Sequence, residues 1–104
     1  MALTSSLISA GTGTQIFLAA GDQAITTIMF CNTDPFTDAT LTVHAVANGN
    51  IVTTSTMVLS GVGLPATETF VMDTEKLILA DGDSIYAISD VDSIIASTVS
   101  SVGI

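Results

Sequence analysis

The chain has almost no positive charge. Among 104 residues Lys76 is the single basic one, set against ten acidic residues, for a formal net charge of −9. Proteins hold nucleic acid with Lys and Arg that displace counterions from phosphates, so this composition excludes a polynucleotide partner. An anionic membrane surface is disfavoured for the same reason. With one cation, the fold also cannot rest on salt bridges.

Other absences narrow the field further. Trp is missing and aromatic residues make up 5% of the chain. A sugar-stacking platform would have only Tyr86 to draw on, which counts against a carbohydrate-binding module. Cys31 is the lone cysteine, so no internal disulfide can form, and its place in an apolar run reads as a buried, inert thiol. No apolar stretch approaches the ~20 residues that span a bilayer. The opening Met-Ala-Leu-Thr-Ser-Ser has neither the positive region nor the long apolar region of a secretory leader, so the expected place of synthesis and assembly is a cytoplasm.

What is present points to β-structure and to assembly. Hydrophobic residues make up 48% of the chain while charged residues make up 11%. The surface of a soluble monomer typically carries ~25–35% charge, so the polar surface here must be mostly Thr, Ser and Asn. Apolar area left on the outside of a subunit usually marks an interface. The length suits one domain with a thin core of Ile, Val, Leu, Ala and Met between two close sheets.

Period-two alternation and β-branched residues run from about residue 14 onward. Thr14 to Ala20 forms the first run and Gly21-Asp22 ends it. Ala24 to Thr33 is apolar on both faces around Ile28 to Cys31, the pattern of a central strand covered on both sides. Asp34-Pro35 breaks the chain into a loop. From Ala39 to Ala47, Leu41, Val43 and Ala45 point one way, and Thr40, Thr42, His44 and Val46 the other. Asn48-Gly49-Asn50 reads as a tight turn. Ile51 to Leu59 reads as the returning strand, and Ser60 to Pro65 as a breaker-rich loop. Thr67 to Met72, Leu77 to Ala80, Ser84 to Ser89 and Ser93 to Val102 supply the rest, with one helical turn conceivable over 73–80. The expectation is an all-β antiparallel sandwich, immunoglobulin-like or jelly-roll, of about eight short strands over 14–104. Residues 1–13 read as an arm that orders against a neighbour.

Chemistry-bearing residues are few. His44 is the only imidazole; it falls mid-strand among threonines, on what reads as a solvent or interface face, with no Gly-x-Ser-x-Gly elbow anywhere. Asp81 and Asp83, then Asp90 and Asp92, have the spacing of calcium-loop ligands. The full signature of alternating acids, Gly and a distal Glu is absent, and Asp-Gly and Asp-x-Asp are ordinary turn chemistry, so the turn reading is preferred. Cys31 and His44 are too few for zinc. Gly61 and Gly63 lack the rest of a nucleotide loop. Met29, Met57, Met72, Phe30 and Phe70 read as packing residues. No catalytic set and no cofactor is expected.

Residues 24–33 (Ala-Ile-Thr-Thr-Ile-Met-Phe-Cys-Asn-Thr), 39–46 (Ala-Thr-Leu-Thr-Val-His-Ala-Val), 64–70 and 76–85 together carry a resemblance. The running pattern is Ile-Thr-x-Ile-x-x-Cys-Asn, a Thr-rich hairpin, and then Leu-x-x-Gly-Asp-x-Ile. Over about four-fifths of its length the chain resembles the small virion-associated proteins of tailed phages. The resemblance implies a non-enzymatic sandwich present in many copies on a virion assembled in the host cytoplasm. The foremost expectation is a capsid decoration or cement protein that binds the major capsid protein or other virion proteins and itself, as a trimer. A tail, neck or baseplate component comes next, and a carbohydrate-binding module after that.

Overall fold

The computed structural model describes residues 2–10, 13–72 and 77–103. Nine strands carry the fold: β1 (Ala2–Ile8), β2 (Thr14–Leu18), β3 (Gln23–Asn32), β4 (Ala39–Val46), β5 (Met57–Leu64), β6 (Thr69–Met72), β7 (Leu77–Leu79), β8 (Ser84–Ser89) and β9 (Ile95–Gly103). A 3-10 turn, Thr54–Thr56, precedes β5. The strands form two antiparallel sheets, as the alternation predicts. One runs β1-β9-β3-β6, with β7 pairing the other half of the same β3 edge; the second runs β2-β8-β4-β5.

The pairing is nested. β1 pairs β9, β2 pairs β8, β3 pairs β6 and β7, and β4 pairs β5. The chain is therefore one long hairpin, and rolling it up adds the β3–β9 and β4–β8 ladders. That is jelly-roll connectivity. It decides against the immunoglobulin arrangement, in which the sheets are built differently from consecutive strands.

The core lies between the sheets. Ile8, Ile16, Ile28, Phe30, Leu41, Val43, Ile85, Ile95 and Val99 are all sealed from solvent. Aliphatic residues dominate because facing sheets sit only ~10 Å apart. Serines at 97 and 101 share this inner face on β9, where small side chains fit closely packed neighbours.

Several expectations need correction. Residues 2–8 are not a free arm: they pair with β9 in unbroken register, and Ile8 is buried in the core. Positions 1, 11 and 12 of the expected arm lie outside the described residues, as do 73–76 of the conceivable helical turn, while 77–79 are strand. β5 begins at Met57 rather than Ile51 and runs to Leu64, through the stretch expected to be a loop. Gly61 and Gly63 sit within a bulged edge strand, where glycine is common. β3 is central within its sheet but covered on one face only, since Met29 is exposed and Cys31 half-buried on the other. Met57 is exposed as well.

Candidate functional site

The arrangement of charge is the feature that sets this surface apart. All eight acidic residues among those described fall outside the strands. Asp34, Asp38, Glu68, Asp90 and Asp92 cluster in loops at one end of the roll, and Asp22, Asp81 and Asp83 in loops at the other. Asp73, Glu75 and Lys76 lie outside the described residues. Among the described residues both sheets thus present neutral faces between two acidic ends.

The four aspartates with calcium-loop spacing are used by the fold. Asp81 Oδ1 accepts the Gly21 N–H at 2.8 Å, and Asp83 accepts Asn48 N–H at 2.9 Å and Ala80 N–H at 2.9 Å. Asp90 Oδ1 accepts Thr40 N–H at 2.7 Å, and Asp92 Oδ1 accepts Ala10 N–H at 3.0 Å. The two pairs flank β8 and so stand at opposite ends of the sandwich. Among the described residues no group of three or more His, Cys, Asp or Glu is placed to hold a metal ion.

His44 also departs from expectation. Its ladder partner is Tyr86, so it does point to the outer face of the second sheet. Yet it is only 3% exposed, because the segment between β4 and β5 folds back over that face. His44 Nδ1 and Thr56 Oγ1 share a hydrogen bond of 2.8 Å, which fixes the returning chain. Among the described residues its ring bonds to this hydroxyl alone, with no carboxylate behind it of the kind that orients the histidine of a Ser-His-Asp triad. The same overlying segment walls a shallow cleft of about 350 Å³ lined by Gln15, Leu18, Val46, Asn50, Ile51 and Tyr86. Tyr86 donates its hydroxyl to Gln15 Oε1 at 3.0 Å, so its ring is held in place.

The outer face of the first sheet is bare. Across it run three ladder rows: Leu7, Ala96, Cys31 and Thr69; Ser5, Thr98, Met29 and Val71; Leu3, Ser100 and Thr27. Val102, Ala24 and Ile78 add a fourth. Among the described residues no charged side chain stands on it, while Leu3 is 70% and Ile78 65% exposed. At one acidic end, Phe36 projects from its loop at 92% exposure. Sequence reasoning missed Leu3 and Leu7, although a leucine pair four apart with alternating Thr and Ser was the available signal.

Together, fold and surface define a small acidic jelly roll whose described charges stand at its two ends. No protein-family model, curated protein or solved structure matches the chain.

Proposed function

We propose that this protein is a non-enzymatic structural component of a virus particle, a decoration or cement protein that binds shell subunits through a neutral sheet face. The observation that carries the reading is the outer face of the β1-β9-β3-β6 sheet, which among the described residues bears no charge and exposes Leu3, Leu7, Met29, Val71 and Ile78. Apolar area of this kind is costly on a free monomer and marks an interface. Thr and Ser between the apolar side chains make contacts with little loss of rotamer entropy, so such a face binds by shape and short hydrogen bonds. Support also comes from the resemblance to small tailed-phage virion proteins, and from the use of jelly rolls in capsid and lectin domains. Fold alone does not assign function, so the weight rests on the surface.

The test is co-sedimentation of the purified protein with emptied shells, followed by electron microscopy of the complex. Ordered extra density on the shell is expected. Failure to bind shells together with density on a tail or baseplate would move the protein to that station. A second reading, a small carbohydrate-binding module, draws on the cleft beside Tyr86 with its Gln15 and Asn50 amides. Saturable glycan binding lost in Tyr86→Ala, without shell binding, would favour it.

A further inference from the structure

We infer that β1 is a self-pairing edge, through which two copies join antiparallel to make one continuous ten-stranded sheet. This deepens the assembly reading by naming a second copy of the chain as one partner. It shares with that reading only the premise that the subunit works in contact with others.

The case starts from the four sheet edges. Open edges template pairing with other chains, and proteins blunt them with charge, glycine, bulges or short length. β2 has five residues and a register shift between Gln15 and Phe17. β5 carries Gly61 at φ +64°, Gly63 and two register shifts against β4. The β6–β7 edge is broken into pieces of four and three residues, separated by a sequence containing Asp73, Glu75 and Lys76. β1 has none of these devices. Seven residues, Ala2 to Ile8, pair β9 without a shift and contain no charge, proline or glycine. It is the last strand of its sheet, and among the described residues no strand hydrogen-bonds along its far side.

The sequence of β1 is also complementary to itself. With a two-fold axis at Ser5, antiparallel pairing sets Leu3 against Leu7 of the second copy, and Leu7 against its Leu3. Both leucines are exposed on the outer face, 70% and 52%, so each copy covers the other's apolar side chains. On the inner face Thr4 meets Ser6, a pair able to exchange a hydrogen bond across the strands. Ser5 meets its own copy. Charge agrees: the subunit carries a net −9, and a neutral strand lets two copies approach without opposing carboxylates. Such a contact closes at two copies, so a trimer would need another surface. One seven-residue strand makes a small contact, so the dimer should be weak and its population should depend on concentration.

Sedimentation velocity over a concentration series tests this on the full chain. Wild type is expected to shift from the 10.6 kDa monomer toward twice that mass. Leu3→Lys/Leu7→Lys places like charges opposite one another and should raise the dissociation constant at least ~100-fold. Leu3→Lys/Leu7→Glu removes the same apolar area but opposes Lys to Glu, and should recover most of the dimer. In a Cys31→Ala background, Ser5→Cys should oxidise to a disulfide-linked dimer while Leu3→Cys should not. A monomer at every concentration with no Ser5→Cys cross-link overturns the proposal, as does a dimer indifferent to both charge variants. Shell binding by a monomeric wild type would leave the virion reading standing alone; a dimer that binds no shell would do the reverse.

Discussion

Asp83 holds Asn48: its Oδ1 accepts the Asn48 N–H at 2.9 Å and so ties the β7–β8 turn to the loop leaving β4. Its other oxygen accepts Ala80 N–H at 2.9 Å, closing its own turn. Gly82 sits between at φ +87°, where an added Cβ would lie 2.5 Å from Asn48 Nδ2. Backbone conformation and close approach both require glycine there. The Gly-Asp of the sequence motif is therefore a clamp between loops.

Asp83→Ala removes two charge-assisted acceptors and should cost about 1–2 kcal/mol, or roughly 5–10 °C in Tm. Calcium should leave the wild-type Tm unchanged, since an ion that bound the folded state would raise it by mass action. Thermal melts with calcium and with chelator check both statements.

Asn32 is the second motif residue with a structural task. It is buried, its Nδ2 donates to Thr37 O at 2.8 Å and Leu64 O at 3.0 Å, and its Oδ1 accepts Asp34 N–H at 3.0 Å. Asn32→Ala should destabilise by about 2–4 kcal/mol, because buried groups lose their partners. Asn32→Asp should be worse at neutral pH, as a buried carboxylate would face two carbonyls. Protonation restores one donor, so that variant's folded form binds protons more tightly than its unfolded form. Its stability should therefore rise as pH falls, opposite to most carboxylate effects. Urea unfolding at pH 7 and pH 5 gives the comparison.

These residues show which parts of the molecule are legible in sequence. Strict alternation gave β4, β8 and β9 nearly to the residue, because each has one face in the core. β1 escaped because Leu3 and Leu7 point outward while Thr4 and Ser6 face inward, the inverse of the usual pattern, and only Ile8 at its end enters the core. β5 escaped because its glycines mimic a loop. For His44 the parity was right and the burial wrong: the cover comes from residues 47–56, a non-local contact that no pattern within β4 encodes. The neutral face was half visible, in the low charge content; that every described carboxylate would fall in a loop required the strand boundaries.

Acid should make the protein associate. Carboxylates at the two ends supply the repulsion between copies, and the sequence pI is about 4.1. Between pH 7 and 4 the net charge of −9 collapses while the neutral sheets stay as they are. Light scattering should rise across that range. Salt at pH 7 should push the same way by screening the ends beyond a Debye length of ~8–10 Å. Flat scattering under both conditions would mean the sheet faces do not attract one another.

A positive charge at the centre of the neutral face should separate folding from binding. Thr98 lies on β9 between Ser5 and Met29, pointing outward and half-buried. In Thr98→Lys the aliphatic stem can lie along Met29 while the ammonium reaches solvent, so stability should change by no more than about 0.5 kcal/mol. Docking of a partner would bury that ammonium without a counter-charge, and shell binding should weaken at least ~10-fold. Thr54→Lys, on the exposed 3-10 turn over the opposite sheet, changes net charge equally and should leave binding intact. Equal loss in both variants would trace the effect to net charge. Loss in Thr54→Lys alone would put the docking surface on the β2-β8-β4-β5 side. Only loss confined to Thr98→Lys fits a shell contact through the β1-β9-β3-β6 face.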